Sequence, residues 1–447
     1  MLKGECNEKI TIEEIHAREI LDSRGNPTLE TEVITDTGIC GLSAVPSGGA
    51  TSISDAFELR DEEKNRYNGK GVQKAINNVN TIISNHLKGF DITAQRDIDN
   101  IMRELDGTSN KSNLGANAIL SLSLSCASAA AKSNNLPLYR YLGGINAHML
   151  PVPMLNVIHG GRIASNNNIA SQEFMLVPIG ANSFSESIRW STEVFSALRA
   201  ILAEKGFCTT VGDEGGFVPN LSGDKEAIEF LLHAIQKAGF KSGVGCDFMI
   251  ALDAVASEMY KAAEYIGEKG NYLFWKIGEK RTAFGMIDYW KDLCKNYPII
   301  SIEDPFAEED WESWKTLTDE IGKNVQIVSD NLLATNKMRL TRCIKEQSAN
   351  SILIKTNQIG TLTEVIEVIQ TAQLAGLTAI VSHRSGETED TFIADLSVAM
   401  NCGQIKAGAP SRTDRVAKYN QLLRIEENLG SSATYAGKSA FKQLLNI

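Results

Sequence analysis

Six short apolar runs in the second half of the chain each end on residues able to do chemistry. They are IALD ending on Asp253, IISIED on Glu303 and Asp304, VQIVSD on Asp330, SILIK on Lys355, AIVSHRS on His383 to Ser385, and GQIK on Lys406. If each run is a parallel strand, these side chains stand at strand carboxyl ends, which share one rim in a closed β/α barrel. Asp253, Glu303 and Asp330 would then offer all-oxygen ligation to a hard divalent cation that keeps positions open for substrate, Mg2+ before zinc. Any one of them could instead be a helix N-cap or a loop salt bridge. Three together without a metal would repel one another. Lys355 and Lys406 bring two ammonium groups to the same rim, and burial beside other cations makes an amine a usable base for a proton next to a carboxylate. Either lysine could instead neutralise the acidic cluster, and Lys406 could grip a substrate.

Two further segments carry polar groups in tight turns. GDEGG, 212–216, brackets Asp213 and Glu214 with glycines, so backbone can approach a ligand closely; a solvated acidic turn is the plainer alternative. SHRSGETED, 382–390, follows a strand and precedes a helix, so His383, Arg384 and Ser385 could meet a phosphate with guanidinium, hydroxyl and backbone donors. Arg384 could otherwise pair with Glu387 or Glu389.

These residues need a scaffold, and the chain has the length for two domains. ITIEEIHAREILD, TLETEVITD and CGLSAVP read as strands, followed by helical patterns near 72–86, 94–105 and 115–133. That describes a small α+β domain, 1–143. From Pro151 the pattern alternates strand and helix, with helices near 185–205, 224–238, 282–296, 311–321, 336–346, 361–375, 388–400 and 414–429. Gly206, Gly239, Gly322, Gly376 and Gly430 sit where C-caps belong. The spacing from Asp330 to Lys355 is 25 residues and from Lys355 to His383 is 28, about one βα unit each. The fold class is therefore α/β, with a parallel β/α barrel over 147–447.

Composition narrows the function. With 43% hydrophobic and 22% charged residues the chain reads as an ordinary globular protein, and no apolar span is long enough for a membrane helix. The first residues, MLKGECNEKI, lack the apolar core of a signal peptide, so a cytoplasmic location is expected. Eight dispersed cysteines with no CxxC fit reduced thiols. A net charge of −11 disfavours nucleic-acid binding and leaves room for an anionic small molecule in a locally cationic cleft.

Motif by motif the chain resembles enolase. DSRGNPT (22–28), LDGTSNKSNLGANAILSLSL (105–124), QEFM (172–175), GDEGG, SIEDPF (301–306), KTNQIG (355–360), SHRSGETEDTFIADL (382–396) and GQIKAGAPSRTDRVAKYNQLLRIEE (403–427) carry the likeness. It implies a C-terminal β/α barrel of enolase type with a smaller N-terminal domain, and dehydration of 2-phosphoglycerate to phosphoenolpyruvate in glycolysis. By this resemblance Asp253, Glu303 and Asp330 hold the first Mg2+. Lys355 is the base at carbon 2, and Glu214 protonates the departing hydroxide. Gln172 and Glu173 flank that hydroxyl, Arg384 and Ser385 hold the phosphoryl group alongside His383, and Lys406 contacts the carboxylate. A homodimer or higher homo-oligomer is implied as well.

The chain departs from the family pattern in two loops. PSGASTG is here PSGGATS, 46–52, which puts Ala50 where a serine would ligate a second Mg2+. The Ala50 carbonyl or a slip to Thr51 are the alternatives, so the second metal site stays open. The loop HGGRIASNNN, 159–168, is one residue longer and has Ile163 or Ala164 in place of a closing histidine, while His159 takes an asparagine position. Beside the glycolytic reaction, two readings follow: an enolase-like dehydratase of a related phosphonate or phosphorylated acid, and a non-catalytic binding or structural role.

Overall fold

The computed structural model describes residues 9–48, 52, 54–164 and 167–442. The chain divides into two compact units, one of Met1–Ala147, Thr356–Glu367 and Arg384–Phe392, the other of His148–Lys355, Val368–His383 and Ile393–Ile447.

In the first unit three strands, β1 (Ile12–Leu21), β2 (Pro27–Thr35) and β3 (Cys40–Ala44), form an antiparallel meander. The β1–β2 turn is set by Asp22, whose Oδ1 accepts the N–H groups of Arg24 and Asn26, each at 2.8 Å. Helix Ala116–Ser133 packs on this sheet and is almost wholly buried. Its Ala and Ser side chains permit that closeness: a Cβ on Gly41 of β3 would lie 2.3 Å from the Ala129 nitrogen. The buried serines are satisfied across the interface, Ser121 Oγ lying 2.7 Å from Thr31 Oγ1 and Ser125 Oγ donating to the Thr31 carbonyl at 2.6 Å. The stretch expected as one helix over 72–86 is helical over Gln73–Asn77 and Ser84–Leu87, with a π-turn, Asn78–Ile83, between.

The second unit is a closed barrel of eight strands. In chain order they are β4 (Val152–His159), β5 (Glu173–Val177), β6 (Met249–Asp253), β7 (Ile299–Glu303), β8 (Gln326–Ser329), β9 (Ser351–Ile354), β10 (Thr378–Ser382) and β11 (Gln404–Lys406), with β11 pairing back to β4. The expectation of an all-parallel barrel is corrected at β5, which runs antiparallel to both β4 and β6. Among its described residues the connection 160–172 carries one 3-10 turn, Gly161–Ile163, and no crossover helix, and the chain turns back as a hairpin.

The eight predicted helices of this region are present within a few residues; the one expected over 388–400 is shorter, Phe392–Ala399. Of the glycine C-caps, Gly322 keeps a right-handed φ of −62°. A helix, Ala256–Tyr265, and a hairpin, Asn271–Phe274 with Glu279–Thr282, were not anticipated.

Strand side chains alternate between faces. Val152, Met154, Met175, Val177, Met249, Ala251, Val328, Leu353 and Ile380 pack into one barrel core, closed off by Phe441. Inside the same barrel the amides of Gln326 and Gln404 bond reciprocally at 2.9 Å, joined by Ser301 at 3.1 Å and Thr378 at 2.8 Å. Toward the carboxyl ends of these strands, and at the start of the reversed β5, stand Asn156, Glu173, Asp253, Glu303, Asp330, Lys355 and Lys406. Among the described residues no helix is long and apolar enough to cross a membrane. Cys40, Cys126, Cys208, Cys246, Cys294, Cys343 and Cys402 are free thiols.

Candidate active site

Asp253, Glu303 and Lys406 are the last residues of β6, β7 and β11, and Asp330, Lys355 and His383 each follow their strand by one position. The row of strand ends is therefore one rim. Glu173 opens the reversed strand β5 and so reaches the same rim from the other direction, in register with Asp253, which is in turn in register with Glu303. The Gln172 main chain ties the hairpin down, donating to the Asp253 carbonyl at 2.8 Å and accepting from Gly160 at 2.9 Å.

Lys406 is the electrostatic centre. Its Nζ lies 2.9 Å from Asp253 Oδ2, 2.9 Å from Glu303 Oε2 and 3.0 Å from Glu173 Oε2. Burial would discharge the ammonium, but Asp253, Glu173, Glu303 and Glu214 hold its pKa well above the ordinary lysine value. Even so, burial and mutual repulsion push Glu173, Glu303 and Asp304 well above the usual carboxylate range. Asp304 accepts the N–H groups of Asp330 at 3.0 Å and Asn331 at 3.1 Å. Lys355 forms an ion pair with Asp330.

The three expected metal ligands thus stand on adjacent strands, with ammonium groups among them. Among the described residues no three metal-binding side chains form a ready cage. The donor set nevertheless suits a hard cation: it is all carboxylate oxygen, acids outnumber lysines, and Glu303 Oε1 is buried with no hydrogen-bond partner. Ala50 and Thr51, where the second-metal question falls, lie outside the described residues.

Glu214 does not sit in a solvated turn; it is 3% exposed. Its loop is sewn to the end of β4, Phe217 donating to Val157 and accepting from His159. Arg415, also fully buried, donates to the Asp213 carbonyl at 3.1 Å and to His383 Nδ1 at 2.5 Å. The His383 proton therefore sits on Nε2, which lies 3.8 Å from Glu214 Oε2. Two effects compete at Glu214. Burial raises its pKa, whereas His383, His159, Arg415 and Lys406, were all four cations, would carry it well below the usual range. Both imidazoles are in fact held neutral: burial and Arg415 drive His383 well below its ordinary value, and burial takes His159 down to about 4. Only Arg415 and Lys406 then oppose burial.

Arg384 and Ser385 follow His383 in the chain and belong to the first unit. The Arg384 N–H donates to Glu387 Oε1 at 3.0 Å, and its guanidinium lies 3.9 Å from Asp55. Gly48 leaves space for that guanidinium, since a Cβ there would come within 2.4 Å of Arg384 Nε. Ser47 and Gly386 exchange main-chain hydrogen bonds at 2.8 and 3.1 Å, and Ser23 Oγ donates to the Ser385 carbonyl at 3.3 Å. A cavity of about 440 Å³, with Arg24, Arg60, Lys70 and Arg384 in its lining, lies within this unit.

Asn156, His159 and Arg415 were not singled out as site residues from the sequence. Asn156 has no charge and sits inside an apolar strand. His159 read as a structural histidine in a glycine turn. Arg415 opens a helix in the ordinary way, and only its complete burial marks it out.

Two family models match the sequence. One, described as the enolase N-terminal domain, covers residues 12–142. The other, described as the enolase C-terminal TIM barrel domain, covers residues 147–444. With a closed eight-stranded barrel and charged groups gathered at its strand ends, the chain belongs to the enolase family.

Proposed function

We propose that this enolase-family protein is a Mg2+-dependent carbon–oxygen lyase that dehydrates 2-phosphoglycerate to phosphoenolpyruvate. The observation that carries this reading is the grouping on one rim of a charged Lys406 among Glu173, Asp253 and Glu303, with a second amine, Lys355, paired to Asp330. Removing a proton next to a carboxylate puts two negative charges on one group, so catalysis depends on fixed positive charge at that place. Lys406 is locked in its charged form and serves as that charge, holding the substrate carboxylate. Lys355 is left as the amine that takes the proton. Glu214, on the GDEGG loop, delivers a proton to the departing hydroxide. Gln172 and Glu173 bound the position of that hydroxyl, while His383, Arg384 and Ser385 supply the phosphoryl contacts.

Asp253, Glu303 and Asp330 are the residues that would hold Mg2+. When bound, the ion supplies Lewis-acid stabilisation of the carboxylate.

The test is direct. Full-length protein is mixed with 2-phosphoglycerate and MgCl2, and phosphoenolpyruvate is followed by its ultraviolet absorbance, with Lys355→Ala and an EDTA-treated sample as controls. Product that disappears in both controls is expected. A folded protein that forms no phosphoenolpyruvate ends the proposal, and turnover of a phosphonate analogue by that protein would reassign the substrate.

A further inference from the structure

The hydrogen bonds around His159 set a condition on the proton of Glu214. His159 is the last residue of β4 and is fully buried. Its Nε2 lies 3.1 Å from the main-chain N–H of Gly216, which can only donate. Its Nδ1 lies 3.1 Å from one side-chain amide atom of Asn156, and that same atom lies 3.1 Å from Glu214 Oε2. The imidazole backbone is pinned as well: Asn167 Nδ2 donates to the His159 carbonyl at 2.8 Å, and Lys276 Nζ donates to Asn167 Oδ1 at 2.7 Å. Gly212 and Gly216 let the ring lie against the loop, since a Cβ at either would come within 3.0 Å of it.

A neutral imidazole has one donor nitrogen and one acceptor nitrogen, and an amide's two ends are told apart by their partners. If Glu214 is ionised, Asn156 turns its amino group toward it. His159 Nδ1 must then accept, the ring proton moves to Nε2, and Nε2–H faces the Gly216 N–H with that bond lost. If Glu214 is protonated, Asn156 turns its carbonyl toward both neighbours. Gly216 then donates to Nε2, Nδ1–H donates to Asn156, and Glu214 donates to the same oxygen. The protonated arrangement makes one more hydrogen bond than the ionised one.

We propose that His159 and Asn156 are positioning residues that favour the protonated form of Glu214, so that the carboxyl stands ready as an acid. The role rests on the dehydration reading, in which a departing hydroxide needs a proton. The charged and titratable groups facing Glu214 are Arg415 and Lys406, which favour its anion, and Glu173, His159 and His383, each held toward its neutral form. The relay acts together with burial against those two cations.

Infrared spectroscopy of full-length protein carrying isotope-labelled glutamate reads the proton without any substrate. The Glu214 carboxylic-acid band is identified by its loss in Glu214→Gln. It is expected at neutral pH in the wild type. His159→Leu removes donor and acceptor together, and its titration midpoint should fall by about one pH unit, a tenfold change, the scale of one hydrogen bond. His159→Gln retains one donor and one acceptor and should stay within a few tenths of a unit of wild type. Should His159→Leu fail to fold, Asn156→Ala removes the shared atom from the other side and should give the same fall. Absence of the band from folded wild type, or an unchanged midpoint in the Leu or Ala variant, would overturn the proposal. Because no substrate takes part, failure to make phosphoenolpyruvate would leave this result standing.

Discussion

Glu173 and Asp253 are antiparallel register partners, one opening its strand and the other closing its own. Their pairing brings a residue from the start of β5 onto a rim otherwise made of strand carboxyl ends. It also gives Lys406 a third carboxylate, at 3.0 Å.

That concentration of acid makes Lys406 structural as well as functional. Lys406→Met would leave Glu173, Asp253 and Glu303 buried without their shared cation, and stranding members of a buried charge cluster costs about 3–5 kcal/mol. The midpoint of urea unfolding should fall accordingly, and millimolar Mg2+ should recover part of the loss by binding the folded form. A variant as stable as wild type would show that the cluster is balanced in some other way.

Gly216→Ala tests how closely the GDEGG loop is fitted. A methyl group there would lie 2.9 Å from the Asn156 carbonyl oxygen and 3.0 Å from the His159 ring. Because one obstacle is backbone, the loop has to move and take Glu214 with it, at a cost of about 1–3 kcal/mol. Turnover of 2-phosphoglycerate is expected to drop about 10- to 100-fold with KM little altered, a part of the roughly 10²- to 10⁴-fold that a positioned acid supplies. Unchanged kcat would separate Glu214 from the chemistry.

His159 should make the protein sensitive to mild acid. Its folded pKa is depressed to about 4 by burial, while the unfolded value is about 6.5. Unfolding therefore takes up a proton between those values, so this stability is full above pH 6.5 and is lost as pH falls through 4. The contribution is roughly 3 kcal/mol. Denaturant titrations at pH 7 and pH 4.5 should show a smaller difference for His159→Gln than for wild type.

Lys276 gives the complementary alkaline signature. Its ammonium is pulled down to about 8 by burial, against about 10.4 in the unfolded chain. Between those values unfolding takes up a proton, so stability from this group rises with pH above 8 and is lost as pH falls through it. Relative to Lys276→Met, wild type should gain stability between pH 7.5 and about 10, as read from urea midpoints. The lysine donates to the Ala164 carbonyl at 2.6 Å and to Asn167, so the variant should also be more readily cleaved by protease in the 160–172 connection.

The rim was legible from local pattern because an apolar strand ending on a charged residue leaves the same trace wherever it occurs: Asp253, Glu303, Asp330, Lys355 and Lys406 all stand where those runs place them. The reversal of β5 was not, since QEFMLV is equally apolar in either direction and only its pairing fixes the sense. The hairpin near 280 was missed because EKRT is wholly outside the buried core and has no apolar periodicity to detect. His159 and Arg415 escaped for another reason. Their partners are distant in sequence, Gly216 lying 57 residues from His159 and His383 lying 32 from Arg415. Bonds across such separations exist only once the barrel has closed.

Closure has one more result. Beneath the charged rim, Val328, Leu353 and Ile380 fill the barrel with hydrocarbon, and the paired amides of Gln326 and Gln404 with Ser301 and Thr378 lie beside and below them. Neither the hydrocarbon nor the amides and hydroxyls can accept or release hydrogen ions at ordinary pH. Proton exchange at the rim therefore finds no titratable relay among these buried side chains of the barrel.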